Sequence, residues 1–200
     1  MRDKIKRSDK CGILFGGSPK INLQVAISHW NKDFYTYAKG YKDAADFIVQ
    51  GAIGGSRHFN FQINELVFPI VFLYRQYVEL RLKDIISLGN RLNGRRPLLP
   101  PDVQDHEVQK LWKKAKPVIK AVSSIVAPDD LEAVETIVKV FKKVDPKGMV
   151  FRYPVDKEGC FHLPEMTVVD LGGLKETMQK VGEFLDGYSE YLTVLWQERP

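Results

Sequence analysis

The chain has 200 residues and a mass of 22.9 kDa, with 44% hydrophobic, 28% charged and 11% aromatic residues, which excludes disordered and fibrous classes and fits one domain with at most an appendage. Cys11 and Cys160 lie far apart without CxxC or Cys/His spacing, so neither a disulfide scaffold nor a structural zinc site is expected. The longest apolar run, Leu66 to Tyr74, has nine residues, against the roughly 20 that a bilayer-spanning helix needs. The N-terminus is basic but lacks an apolar core and a small-residue cleavage site, so the expectation is a soluble, cytoplasmic protein without a secretory signal.

Residues 1–30 read as an irregular N-terminal segment, with Gly12, Gly16, Gly17 and Pro19 breaking up the short apolar run Ile13 to Phe15. A helical domain is expected over 31–200. Its first helix begins near Asn31, with Phe34, Ala38, Tyr41, Ala45 and Ile48 forming one apolar stripe, and stops at Gly51, Gly54 and Gly55. The second starts around Phe68, with Pro69 in its first turn, and ends at Gly89. Its first half is apolar all round and reads as the central, most buried helix.

Asn90 to Pro101 is a Gly- and Pro-punctuated loop. Asp102 or Asp105 then caps a third helix carrying Val108, Leu111, Trp112 and Ala115 on one face, which Pro117 ends or kinks. A fourth follows Pro128, with Asp129 as N-cap, Glu132 three residues on, and a stripe of Leu131, Val134, Val138 and Phe141. After the turn at Asp145 to Gly148, the strand formers Met149 to Tyr153 lead through Asp156 to Gly159 into Cys160 to His162, a pattern that predicts a small β-hairpin. The last helix, Asp170 to Gln197, aligns Leu174, Met178, Val181, Leu185, Tyr188, Leu192 and Leu195 in a heptad seam suited to bundle packing or to a second copy. The fold class is therefore all-α: an antiparallel bundle of about five helices with one hairpin before the C-terminal helix.

The net charge of +5 is unevenly placed. Residues 91–120 carry eight bases against three acids, and 158–200 carry eight acids against three bases. A basic stretch of this kind suits a solvated helix face, a polyanion or the acidic face of a partner subunit. Arg95, Arg96, Lys113, Lys114 and Arg152 are the candidates for phosphate or nucleic-acid contact. Only Trp112 supplies aromatic interleaving within the stretch.

Familiar catalytic motifs are missing. Gly16-Gly17-Ser18-Pro19 lacks the Gly-Lys-Ser/Thr ending of a P-loop, and Gly51 to Ser56 follows a helix where a dinucleotide fingerprint needs a strand. His29, His58, His106 and His162 are scattered, so no metal site and no cofactor are expected, and no Gly-x-Ser-x-Gly elbow occurs. Arg75, Glu79 and Lys83 stand four apart on the second helix. They read either as an internal Arg75–Glu79 ion pair or as a cleft where Arg75 meets a phosphate. His106, after Asp105, caps its helix or serves as a proton donor and acceptor. Arg152, between Phe151 and Tyr153, is suited to stacking on an aromatic face.

Four segments in order resemble the HEPN-like helical domains. Tyr41-Lys42-Asp43-Ala44-Ala45-Asp46 resembles their opening Tyr-x-x-Ala-Ala pattern, and Tyr74 to Lys83 looks like their second helix. Asp105-His106-Glu107-Val108-Gln109-Lys110-Leu111-Trp112 is similar to a His-Asp-Leu-x-x-Leu element, and Val150 to Asp156 resembles an Arg-Tyr-Pro segment. The resemblance, over residues 31–196, implies a small helical bundle, often dimeric, common in prokaryotic toxin–antitoxin and antiviral defence systems. Many such domains are metal-independent ribonucleases with an Arg-x(4–6)-His motif. Here no arginine precedes a histidine at that spacing, and Glu107 stands where aspartate is usual. The leading expectation is a non-catalytic interaction or nucleic-acid-associated protein, with RNA or a nucleotide as ligand and a homodimer or protein partner. The alternatives are a divergent endoribonuclease using Arg75 and His106, and a structural adaptor docking through its C-terminal seam.

Overall fold

A computed structural model describes residues 33–55, 63–96, 104–122, 128–163 and 168–199, with backbone only at 128–130. The segment 1–30, expected to be irregular, with Cys11 and His29, and the positions His58 and Asp102 lie outside that description; Asp129, expected as the N-cap of the fourth helix, instead falls inside it, because that helix already begins at Pro128. The described residues fall in one unit, 33–200. It contains five helices: α1 (Phe34–Ile53), α2 (Ile63–Leu92), α3 (Val108–Val122), α4 (Pro128–Val144) and α5 (Leu171–Gln197). None of them is long and apolar enough to cross a membrane.

The helices form where apolar stripes and caps coincide. Asp33 Oδ1 accepts from the Thr36 amide at 2.6 Å and starts α1, and Asp170 Oδ1 accepts from the Gly173 amide at 2.9 Å and starts α5. The 30-residue α2 is the hub, packing against α1, α3 and α5, while α4 packs on α3 and α5. Tyr74 of α2 donates to Asp46 Oδ1 of α1 at 2.7 Å, and Tyr41 meets Phe72 edge-on at 6.4 Å.

Three expectations change. First, α2 runs from Ile63 to Leu92, so Gly89 does not end it. A Cβ at Gly89 would stand 2.5 Å from Val118 Cγ1, so this glycine sets how closely α2 and α3 approach. Termination falls later: Asn93 Nδ2 donates to the Gly89 carbonyl at 2.8 Å, and Gly94 turns the chain at φ 67°. Second, the enclosed part of α2 is its middle and second half, whereas Phe68 in the first turns is exposed. Arg75, Glu79, Arg81 and Lys83 are all buried there, because paired charges are admitted to interiors that exclude single ones. Pro117 also sits within α3 without ending it; the proline is exposed, so water can serve the backbone group it leaves unpaired.

Third, the β-hairpin is absent. Residues 150–152 form turns, and the only pairing there is an isolated antiparallel bridge between Val155 and Phe161. The strand formers lose their ladder donors to a side chain: Asp145 Oδ1 accepts from the Met149 and Val150 amides at 2.7 and 3.1 Å. Arg152 and Tyr153 both donate to the Met149 carbonyl at 3.1 Å, and Pro154 has no donor to offer. The described residues contain no strand.

Candidate functional site

Arg75 organises the polar centre of the domain. Its side chain is 1% exposed, and each of its three nitrogens is engaged. Nε donates to the Asp145 carbonyl at 3.0 Å, Nη1 to Glu79 Oε2 at 3.0 Å, and Nη2 to the His106 carbonyl at 2.6 Å. One cation thus ties α2 to the start of α3 and to the turn after α4. Gly148 in that turn has φ 74°, and a Cβ there would lie 2.6 Å from Arg75 Nη1, so only glycine fits both demands.

Glu79 carries the network to the surface. Its Oε1 accepts from Lys83 Nζ at 2.9 Å and lies 2.8 Å from His106 Nδ1. The Glu79 side chain is 2% exposed, whereas that of His106 is 61% exposed. The result is an imidazole oriented by a buried carboxylate with its outer edge in water. Burial opposes ionisation of Glu79, yet hydrogen bonds from Lys83, His106 and Arg75, together with the Lys83 charge, outweigh it and hold the carboxyl below its ordinary value.

A stability consequence follows from that direction. Folded Glu79 binds a proton less readily than an unfolded glutamate at 4.5, so its contribution is complete above that pH and is lost as pH falls through the folded value. Glu79→Gln is expected to be less stable than the parent at neutral pH, with the gap narrowing as the pH falls below 4.5. Urea denaturation of both proteins across the acid range checks this; a gap that persists unchanged into acid would contradict it.

A second polar cluster joins α2 to α5. Arg81 Nε meets Asp186 Oδ1 at 2.6 Å, and Tyr77 donates to the same oxygen at 2.7 Å. Ser189 donates to Asp84 Oδ2 at 2.6 Å, and the Arg81 guanidinium lies 4.2 Å from the Tyr35 ring centre. Burial pushes the Asp84 carboxyl and the Tyr77 phenol up. These groups are consumed by one another and hold α5 in place.

The remaining candidates are dispersed. Arg95 and Arg96 follow α2 and are exposed; Lys113 and Lys114 are exposed on α3. Arg152 lies over Phe72 at 5.8 Å and Tyr153 at 5.6 Å from the ring centres. His106 and Arg75 do come together, but through the His106 backbone carbonyl and through Glu79. Asp105 Oδ1 accepts from the Glu107 amide at 2.9 Å, so it shapes the turn before α3. Sequence reasoning missed Asp145 and the Glu79–His106 contact. The Asp145-Pro146-Lys147-Gly148 turn signal hid the former, and nothing local could report the latter. Among the described residues, no group of three or more His, Cys, Asp or Glu is placed to hold a metal ion.

No family model, curated protein or solved structure matches the chain.

Proposed function

We propose that the protein is a HEPN-like, nucleic-acid-associated interaction protein that holds RNA through the lysine face of α3 and does not cleave it. The observation that carries this reading is the charge on α3. The helix has five lysines and no acid, set opposite a buried face of Val108, Leu111, Trp112, Ala115 and Ile119. Lys116, in an ion pair with Glu135, holds the carboxyl of that residue below its ordinary value, and the charges of Lys120 and of Lys139 on α4 add to the effect. Such clustering favours a polyanion through released counterions. The saturation of Arg75 supports the non-catalytic part, since no phosphate can reach a guanidinium that is 1% exposed and bound on all three nitrogens. A defence-associated setting and pairing with a second copy are proposed on the resemblance alone. Leu185 and Leu192 of the C-terminal seam are fully buried within the bundle, which counts against a partner docking through those two leucines.

The exposed imidazole on Glu79 favours the ribonuclease as the second reading, with a cation other than Arg75. Both are tested by incubating purified protein with transfer RNA and mixed RNA in EDTA on paired native and denaturing gels. The expected result is a shift without cleavage. Lys113→Glu/Lys114→Glu is expected to weaken the shift and to flatten the dependence of log K on log salt by about 1.4, at about 0.7 per lost single-strand phosphate contact. Cleavage that disappears in His106→Ala would establish the nuclease. Absence of any shift would overturn RNA binding.

A further inference from the structure

Between the first turns of α2 and the turn region after α4 lies a cleft of about 330 Å³, walled by Phe68, Arg152, Tyr153, Phe161, His162 and Leu163. Its rings stand in water: Phe161 is 77% exposed and Tyr153 50% exposed. Single exposed apolar residues need no explanation, but several converging on one concavity mark a binding surface. The described residues lining the cleft also include one guanidinium and no carboxylate. Arg152 donates to the Gly148 carbonyl at 2.6 Å and contacts the Met149 sulfur and two rings. Among the described residues it has no carboxylate partner, and no acid lines the cleft. Leu163 is held at φ 54°, a left-handed conformation that a branched side chain adopts only when its surroundings impose it, and such outliers gather at functional sites.

We infer that this cleft is a nucleotide-binding site, in which a base stacks on Phe161 and Tyr153 while its phosphate meets Arg152. Exposed rings call for a flat, polarisable partner, and a guanidinium with no carboxylate partner among the described residues calls for an anion such as a phosphate, whose oxygens can accept from its remaining N–H groups. A nucleotide supplies both in one unit. An acidic peptide would satisfy the charge and leave the rings bare. The site deepens the proposed function, on which it rests: the α3 lysines would hold phosphates irrespective of strandedness, and the cleft would select unpaired bases. Arg152 shares the Gly148 turn with Arg75, so the cleft is built on the same buried framework that positions His106.

Fluorescence anisotropy with labelled oligouridylate and with duplex RNA of equal length tests this. Phe161→Ala changes a side chain on the surface, and Tyr153→Ala serves as a second variant; circular dichroism checks that both remain folded. Each is expected to weaken single-strand binding roughly ten-fold, the loss of one stacked base, with duplex binding and salt slope unchanged. Lys113→Glu/Lys114→Glu is expected to weaken both RNAs. Equal single-strand affinity in parent and both ring variants would overturn the inference. If the lysine variant has no effect while the ring variants do, the cleft stands and the α3 reading fails. If the parent binds neither RNA, equilibrium dialysis with AMP decides: retention lost in Phe161→Ala would establish a free-nucleotide site, and no retention would overturn it.

Discussion

Arg75→Met is expected to lower the unfolding free energy by about 3–5 kcal/mol, the range for breaking a buried ion pair from one side. Methionine keeps much of the apolar stem volume, so the loss reports the charge and its hydrogen bonds rather than a cavity. Four acceptors are stranded: the Glu79 carboxylate and the carbonyls of Asp145, His106 and Pro146. Glu79 retains Lys83, so it suffers least. Asp145 suffers most, because its Oδ2 accepts no hydrogen bond and its only compensation is Arg75 Nε at 3.4 Å. The double variant Arg75→Met/Asp145→Asn should therefore recover part of the loss, since an asparagine oxygen can still accept from Met149 and Val150. Urea denaturation at neutral pH measures both. A single variant within 1 kcal/mol of the parent, a value typical of exposed pairs, would mean that the network is solvated and that Arg75 is open to ligands after all.

The helical class was legible because each apolar stripe is a local signal. Ala38 and Ala45 of α1, Leu111 and Ala115 of α3, and Val134, Val138 and Phe141 of α4 are buried as their spacing requires. Where the reading failed, a partner distant in sequence decided. Gly89 looks like a stop signal until Val118 is placed against it. Met149 to Tyr153 looks like a strand until Asp145 takes its amides. Half of the site was legible too. The Arg75, Glu79 and Lys83 stripe follows from four-residue spacing, since these side chains share one helix face. That His106 would close on Glu79 from 27 positions away, and Asp145 on Arg75 from 70, depends on how α3 and the turn after α4 dock on α2. No spacing within one helix encodes that docking.

The C-terminal seam meets the same test from the opposite side, because a heptad pattern cannot say whether its face meets its own bundle or another chain. Leu185 is fully buried, as are Met178, Val181 and Leu192, and α5 lies against α2 and α4. Leu185→Ala is expected to cost about 2–5 kcal/mol by removing packed atoms and leaving a cavity. Leu185→Lys should cost more, because it also forces an ammonium into apolar surroundings or deprotonates it there. Since small domains hold about 5–15 kcal/mol in all, the lysine variant is expected to lose most of its cooperative unfolding transition. Val194→Lys, at an exposed position of the same helix, should stay within about 0.5 kcal/mol of the parent. Thermal melts paired with light scattering separate the two roles of the seam. Bundle packing requires that Leu185→Lys lose the transition whatever the mass; a docking surface would instead leave the melt intact and change only the mass. The second outcome would favour the adaptor reading, and α5 would then have to be exposed along the face on which Leu185 and Leu192 are now fully covered.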